Sequence, residues 1–251
     1  LRRHVRAGDV VCRYGGEEFA IVMPGATPEL ALDRAVVLRR AAHAIDLPGR
    51  GTSTTPPSGL DGDIAAVIAA VRALDRPVTL VSHSYGGAVA NGAAAAEPLV
   101  ASVVHIAAFA LTTGESVMGF LRSAPRHAVG LSALMQPQPD GSIALDPDRS
   151  GELYGSSLSD LEVRANVTRL GVQPAGTFTG TVTGDPFGRV PTSYVLCERD
   201  DAVHPEHQRL LAARCDRTVA IDSDHFPMLH SADLLASVLD GLVGRSGSAT
   251  S

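Results

Sequence analysis

The sequence predicts an α/β protein in which a mostly parallel sheet is covered by helices on both faces. Between residues 43 and 243, short apolar runs typical of buried strands alternate with longer segments whose apolar residues recur at helical spacing. With 251 residues, 45% of them hydrophobic, the chain is long enough to bury one sizeable core. Such alternation is typical of parallel strands joined by crossover helices, so we expect one α/β domain with an insertion.

The first 42 residues are predicted to form a hairpin and a helix. Residues 10–14 and 19–23 are short strand-like runs, and the Gly-Gly-Glu-Glu sequence between them is typical of a turn. Residues 28–42 keep helical spacing, and Thr27 precedes them as an N-cap. A short strand over residues 43–47 is expected to follow.

The remaining elements lie on either side of an irregular stretch. Residues 111–189 are rich in Gly, Pro, Thr and Asp and are interpreted as an inserted cap. Residues 43–110 and 190–245 then form the core, and residues 246–251 form a disordered tail. The core is expected to contain helices at 61–74, 86–96, 204–213 and 232–243 and strands at 77–82, 100–109, 193–197 and 218–221.

Charge and composition exclude several classes of partner. The formal net charge is -6 and all 21 cationic residues are arginine, so the chain lacks the basic field that draws proteins to nucleic acids or anionic membranes. No apolar run reaches the roughly 20 residues that span a membrane and no signal-peptide core follows the N-terminus, so a cytoplasmic location is expected. The three cysteines lack metal-ligand spacing, and neither a metal nor a cofactor is expected. The oligomeric state cannot be read from the sequence.

The sharpest local signal is Ser82-His83-Ser84-Tyr85-Gly86, which stands between a predicted strand and a predicted helix. It matches the nucleophile-elbow pattern Gly-x-Ser-x-Gly, with Ser82 in place of the first glycine. Such a turn admits only small residues two positions before and after the nucleophile, and Ser82 is small. Ser84 is therefore a candidate nucleophile, and the N–H of Tyr85, at the start of the new helix, is a candidate oxyanion donor. The alternative is a Ser/Gly-rich turn without chemistry.

Two later strands lead to residues that could serve Ser84 as acid and base. A serine hydroxyl needs a base to take its proton, and that base needs an acid to fix its tautomer. The strand at 193–197 leads to Asp200 and Asp201, and the strand at 218–221 leads to His225. We predict Asp200 as the acid, with Asp201 as the alternative, and His225 as the base. Six other histidines are interpreted as surface or packing residues: His83, His105, His127, His204, His207 and His230.

Four segments give residues 43–243 a resemblance to a known family. They are IDLPGRGTS at 45–53, LVSHSYGG at 80–87, YVLCERDDAVHPEHQ at 194–208 and DSDHFP at 222–227. Together they resemble the small α/β-hydrolases, a group that includes plant methyl-esterases, hydroxynitrile lyases and bacterial carboxylesterases. The resemblance implies the α/β-hydrolase fold and the nucleophile, acid and base roles for Ser84, Asp200 and His225. The lyases of that group depend on an active-site lysine, which this chain lacks, so hydrolysis of a small ester is expected.

The N-terminus resembles a different family. The sequence DVVCRYGGEEF at 9–19 is similar to the signature hairpin of a GGDEF domain, the diguanylate cyclase module, and the likeness continues to about residue 40. The resemblance implies that Glu17 matches a metal-binding carboxylate of that family. The half of that domain which supplies the other metal-binding carboxylate and the nucleotide contacts is missing upstream, so cyclase activity is not expected.

A foreign N-terminus would replace the strand, His-Gly turn and helix with which α/β-hydrolases open. Residues 19–42 repeat that order of strand, loop and helix. We therefore predict that the strand at 19–23 completes the sheet beside the Ser84 elbow, and that the N–H of Ala26 is the second oxyanion donor. Two alternatives stay open: a catalytically impaired fold that only binds a ligand and, remotely, a diguanylate cyclase fragment.

Overall fold

The computed structural model describes residues 9–12, 43–51, 53–154, 158–168 and 170–243, and for residues 9–12 it describes the backbone alone. The strands of this part are β1 (Asp9–Cys12), β2 (Val78–His83), β3 (Val100–Ile106), β4 (Met135–Pro137), β5 (Ile143–Leu145), β6 (Thr192–Cys197) and β7 (Arg217–Ile221). Five of them form one parallel sheet in the order β1-β2-β3-β6-β7, and β4 and β5 form a separate antiparallel pair. The predicted α/β fold with a mostly parallel sheet is confirmed.

The central strands are buried along their whole length because both faces of the sheet are covered. Every residue of β2 and of β6 is buried. Successive side chains of a strand point to opposite faces, and Leu80 and Val81 of β2 accordingly belong to two different hydrophobic clusters. Val103 and Val104 of β3 divide in the same way. The sheet therefore separates two cores.

Helices lie against both of these cores. They are α1 (Leu60–Leu74), α2 (Gly86–Ala96), α3 (Val117–Ser123), α4 (Gly130–Leu134), α5 (Asp160–Val167), α6 (Pro205–Ala212), α7 (Pro227–His230) and α8 (Ala232–Val243), with a 3-10 helix at Ser150–Tyr154. Val71 of α1, Val89 of α2 and Leu211 of α6 belong to one cluster, whereas Leu235 of α8 belongs to the other. None of the helices that the structure describes is long and apolar enough to cross a membrane.

Helix α1 has well-defined ends. Asp61 and Asp63 lie in its first turn, where carboxylates are favoured by the exposed N–H groups of a helix N-terminus. Asp75 ends the helix by adopting a left-handed conformation, and its N–H donates to the carbonyl of Arg72. One face of α1 is buried through residues such as Ile64 and Val67. The helix therefore presents Asp63 to the interior, where the residue is fully buried.

The stretch between β3 and β6 contains the smaller elements. We call residues 111–189 the β3–β6 insertion. It contains the helices α3, α4 and α5, the strand pair β4–β5 and the 3-10 helix. Ile143 of β5 also exchanges two backbone hydrogen bonds with Gln173, of 2.8 and 2.9 Å, so two separate parts of the insertion are tied together.

Two predicted strands differ from those observed. Residues 43–47 form no strand, because their backbone pairs with none of the described strands. Strand β1, which pairs with β2 from Asp9 with Val78 to Cys12 with Val81, lies at the edge of the described sheet. Residues 19–23, predicted as a strand that completes the sheet, lie outside the described residues. The strand predicted to reach residue 109 ends at Ile106, because Ala107 adopts φ 44°.

Candidate active site

Ser84 lies in the turn between β2 and α2 and has an uncommon backbone conformation. Its φ is 52°, which is in the left-handed region that non-glycine residues seldom adopt. Two backbone hydrogen bonds hold this turn against the chain at the end of β3. The N–H of Ser84 donates to the carbonyl of Ile106 at 3.4 Å, and the carbonyl of Ser84 accepts from the N–H of Phe109 at 3.0 Å. Such imposed conformations cluster at functional sites, where the surrounding structure maintains them.

The space around this turn explains its glycines. A Cβ atom on Gly87 would lie 2.8 Å from backbone atoms of Phe109, which is too close for any side chain. A Cβ atom on Gly86 would lie 3.9 Å from the Cβ atom of Ser82, which is an ordinary contact. The tightest steric restriction is therefore at Gly87, whereas the elbow pattern predicts it two residues after the nucleophile, at Gly86. The restriction arises because α2 starts directly against the chain that follows β3.

Asp200 and His225 are joined by a buried hydrogen bond. The Nδ1 atom of His225 lies 2.7 Å from Oδ2 of Asp200, and both residues are buried. The other carboxylate oxygen of Asp200 accepts the N–H groups of Ala202 at 2.7 Å and Val203 at 2.8 Å. Asp200 is thus held by its own loop with one oxygen presented to the imidazole.

Asp201 has a different environment from its neighbour. Its side chain is exposed, and no described hydrogen bond joins it to His225. The backbone carbonyl of Asp201 accepts the N–H of Leu131 at 3.1 Å, so this residue contacts the β3–β6 insertion instead. Between the two acids left open by the sequence, the geometry favours Asp200.

Gln208 is a residue of the site that the sequence did not predict. It is fully buried on α6, and its Nε2 atom donates to Oδ2 of Asp200 at 2.8 Å and to the carbonyl of Val203 at 2.7 Å. Its Oε1 atom accepts the N–H of Cys197, at the end of β6, at 2.9 Å. Gln208 therefore fixes the Asp200 loop to the strand before it and the helix after it. The sequence signal was only its place at the end of the YVLCERDDAVHPEHQ segment.

His83, which we interpreted as a surface or packing residue, contacts the predicted base. Its Nε2 atom donates to the backbone carbonyl of His225 at 2.7 Å, and the centroids of the two rings are 4.3 Å apart. Burial, and secondly the neighbouring His225, hold the pKa of His83 well below its usual value. A neutral His83 ring can keep its proton on Nε2, so it acts as a donor that positions the backbone of His225.

The loop that carries His225 is also braced by Asp224 and His230. Asp224 accepts the N–H of Phe226 at 2.9 Å through Oδ1, and its Oδ2 atom pairs with Nδ1 of His230. The side chain of His230 is buried, whereas that of Asp224 is partly exposed. His230 lies at the end of α7, so the pair links the loop that follows β7 to the end of α7.

Ser84 and His225 line the same cavity, which has a volume of about 310 Å³. Most of its wall is apolar, and much of that wall comes from the β3–β6 insertion, including Leu131, Ile143 and Val172. Asp200 does not line the cavity and lies buried beside His225. This arrangement places a hydroxyl and an imidazole at the wall of a mainly apolar chamber, with a carboxylate beside the imidazole.

Of the two predicted oxyanion donors, the structure describes only Tyr85. Tyr85 lines the cavity and lies at the start of α2, so its N–H belongs to the helix N-terminus beside Ser84. Ala26, predicted as the second donor, lies outside the described residues, as does Glu17. Among the residues that the structure describes, no group of three or more His, Cys, Asp or Glu side chains is arranged to hold a metal ion.

Comparison with known proteins agrees with this fold and places the chain in a family. The model of the "Alpha/beta hydrolase family" matches residues 20–238, so the chain belongs to the alpha/beta hydrolase family. A curated relative, "Alpha/beta hydrolase nvfD" from Aspergillus novofumigatus (strain IBT 16806), is 27% identical over 248 residues, which cover 90% of this chain and 96% of the relative.

Solved structures share the fold at low sequence identity. A pyrethroid hydrolase from Sphingobium faniae JZ-2 has a TM-score of 0.71 at 18% identity, with 95% of this chain and 98% of that one covered. The methylesterase MES16 from Arabidopsis has a TM-score of 0.70 at 18% identity, with 94% and 99% covered.

The same comparisons bear on the interpretation of the N-terminus. The family match starts at residue 20 and therefore includes residues 20–42, which the sequence assigned to a GGDEF-like fragment. The resemblance to a GGDEF domain has no support. Residues 9–12, the start of the GGDEF-like segment, form a parallel strand of the hydrolase sheet.

Proposed function

We propose that this protein is a carboxylesterase that cleaves a small ester through an acyl-enzyme on Ser84. The observation that carries the proposal is the buried 2.7 Å hydrogen bond between His225 and Asp200, beside a cavity that Ser84 and His225 both line. Membership of the alpha/beta hydrolase family supports it, as do solved relatives that are named a pyrethroid hydrolase and a methylesterase.

In this proposal each of the three side chains carries out one part of the reaction. Because Nδ1 of His225 donates to Asp200, the lone pair of the imidazole is on Nε2, which takes the proton of the Ser84 hydroxyl as its oxygen attacks the ester carbonyl. The tetrahedral intermediate collapses, and the alcohol leaves with the proton that His225 returns. Water then loses a proton to His225 and attacks the acyl-enzyme, and the carboxylic acid leaves as His225 returns that proton to the Ser84 oxygen. Asp200 stays ionised and stabilises the imidazolium in both steps.

The negative charge that develops on the carbonyl oxygen needs donors in place before it forms. The N–H of Tyr85 is our proposal for one of them, because it lies in the first turn of α2 directly after Ser84. The N–H of Ala26 remains our proposal for the second. Loss of one such donor typically lowers the rate by about 10²–10³-fold, so a protein with Tyr85 alone would retain weak activity.

The cavity wall favours an uncharged ester with an apolar portion. Arg50 is the one described Arg, Asp or Glu side chain that lines the cavity, and its charge is balanced by Asp63, whose Oδ1 atom lies 3.0 Å from Nη1 of Arg50. The apolar side chains of the β3–β6 insertion, such as Leu131, Ile143 and Val172, would contact the acyl or alcohol group. In this proposal the insertion acts as a cap that sets the shape of the substrate.

A fluorophosphonate probe tests the proposal directly. Labelling should occur on Ser84 and should be abolished in Ser84→Ala and in His225→Ala, because only a serine with a base beside it is activated. Hydrolysis of p-nitrophenyl esters of increasing chain length should disappear in the same variants. Label on another serine, or a folded wild-type protein that neither reacts nor hydrolyses any ester, would contradict the proposal and favour a ligand-binding role.

A further inference from the structure

Tyr85 is connected to two buried charged residues through its side chain. Its hydroxyl donates to Oδ2 of Asp63 at 2.7 Å, and its ring lies 5.8 Å from the ring of Phe178, measured between centroids. Asp63 is on α1, whereas Tyr85 belongs to the Ser84 turn. The residue that we propose as an oxyanion donor through its backbone is thus anchored to a second helix through its side chain.

Arg50 completes this connection from a third segment. Its Nη1 atom donates to Oδ1 of Asp63 at 3.0 Å and to the carbonyl of Pro48 at 3.2 Å, and its Cζ atom lies 5.6 Å from the centroid of the Tyr85 ring. The exposed fractions of Arg50, Asp63 and Tyr85 are 8%, 0% and 9%. The three side chains form a closed and almost fully buried group, which we call the Arg50–Asp63–Tyr85 network. It joins the 47–51 turn and the Ser84 turn, both of which line the cavity, to α1.

The direction of the Tyr85 hydrogen bond is fixed by electrostatics. Burial, and secondly the charge of Asp63, raise the pKa of the Tyr85 hydroxyl far above its usual value. The hydroxyl therefore stays protonated and donates to Asp63, while the guanidinium of Arg50 balances the carboxylate. Both oxygens of Asp63 are thereby occupied by donors from cavity-lining residues.

A buried ion pair is a poor way to gain stability, because apolar residues of similar volume often stabilise a fold as well or better. The hydrogen bonds of a buried ion pair do fix the orientation of its side chains, which apolar packing does not. We propose, on the basis of the esterase function above, that Asp63 and Arg50 are positioning residues that orient Tyr85 so that its N–H faces the oxyanion. Their contribution is made in the transition state, because the carbonyl oxygen becomes negative only there.

The variant Tyr85→Phe tests this proposal because it removes only the hydroxyl that reaches Asp63. We expect kcat per fluorophosphonate-titrated site to fall about ten-fold, less than loss of a whole oxyanion donor, while KM changes less than two-fold. The affinity for a trifluoromethyl ketone, which forms a tetrahedral adduct on the serine, should fall by the same factor as kcat. Asp63→Asn and Arg50→Lys, where they fold, should change kcat and KM in the same pattern.

The matched control is Thr79→Val, which removes another buried hydroxyl. Thr79 and Ser102 share a 2.7 Å hydrogen bond near the start of β2 and β3, at the end of the sheet away from Ser84. This variant should lower Tm but keep the wild-type kcat per titrated site. A wild-type kcat in Tyr85→Phe, or a loss of activity no larger than in Thr79→Val, would overturn the proposal. The fluorophosphonate probe also labels the wild-type protein if the proposed esterase function is correct. A failure of the Tyr85 proposal can therefore be distinguished from a failure of the esterase proposal.

Discussion

At the scale of single residues, the environments of Asp200 and Asp201 show how a fold separates two adjacent identical side chains. Both follow β6 in the same loop. Asp200 is buried and its two oxygens accept hydrogen bonds from two backbone N–H groups, Gln208 and His225, whereas Asp201 is exposed. A carboxylate that accepts several hydrogen bonds is held in one orientation, which an acid partner of histidine requires.

We predict that Asp200→Asn lowers kcat by about 10⁴-fold, because the amide would favour the wrong tautomer of His225. Asp201→Asn should keep a kcat within about two-fold of wild type, since a surface carboxylate contributes little to a distant charge. Steady-state kinetics on one p-nitrophenyl ester would measure both. If Asp201→Asn were the inactive variant, the acid role would belong to Asp201 and the geometry described here would not represent the active state.

At the scale of elements, the segment from β7 to α7 carries His225, the proposed base, between two acidic residues with different environments. Asp222 forms an exposed ion pair with Arg199, with 2.6 Å between Oδ1 and Nε. Asp224, two residues later, pairs with the buried His230 and accepts the N–H of Phe226. Exposed ion pairs contribute little to stability, whereas loss of a partner for a buried polar group has a much larger cost.

The pair of variants Asp224→Ala and Asp222→Ala should therefore differ. For Asp224→Ala we expect the free energy of unfolding to fall by about 1–3 kcal/mol, since the N–H of Phe226 and the ring of His230 lose their acceptor. We also expect a several-fold lower kcat, because the loop that holds His225 is loosened. For Asp222→Ala the change should be below about 0.5 kcal/mol. Urea unfolding and ester hydrolysis measure the two effects, and equal destabilisation in both variants would contradict this account.

The elements also show which parts of the fold the sequence could predict. The strands β2, β3 and β6 are mainly apolar and β7 ends in the apolar residues 219–221, so local pattern and final structure agree. Residues 43–47 are also predicted as a strand but form none, because a strand needs a neighbour, and pairing is not a local property. The short elements of the β3–β6 insertion have too few residues for a periodic signal.

The candidate site divides in a similar way. Ser84, Asp200 and His225 could be found because each follows a predicted strand in a recognisable local sequence. Gln208 and the partners of Tyr85 could not be found, because they are brought to the site by helices whose packing is set by the whole fold. Sequence patterns therefore identify the candidate reacting groups more readily than the residues that position them.

At the scale of the whole molecule, two buried histidines make stability depend on pH. His105 is fully buried in β3, with its Nδ1 atom 2.8 Å from the hydroxyl oxygen of Ser82, and burial lowers its pKa to about 3. The pKa of His83 is lowered too, by burial and by His225. In the unfolded chain both have ordinary pKa values near 6.5, so the unfolded chain binds more protons below that pH.

The contribution of these two histidines to stability should thus be constant above about pH 6.5 and fall as the pH is lowered from there towards their folded-state pKa values, by about 1.4 kcal/mol per pH unit for each histidine. Urea unfolding between pH 7.5 and pH 4.5 would give the slope. We expect His105→Gln, which can still pair with Ser82, to reduce that slope by about one proton. A slope unchanged by this substitution would show that other groups dominate.

The separate origins of the cavity wall and of the reacting groups have an evolutionary consequence. Ser84, Asp200 and His225 are carried by the ends of sheet strands, whereas much of the apolar wall belongs to the β3–β6 insertion. Substitutions at these wall positions therefore fall in a segment whose described residues contribute no strand to the main sheet. If the proposed function holds, selection for a different ester can act on the insertion while the strands that carry Ser84, Asp200 and His225 are inherited unchanged.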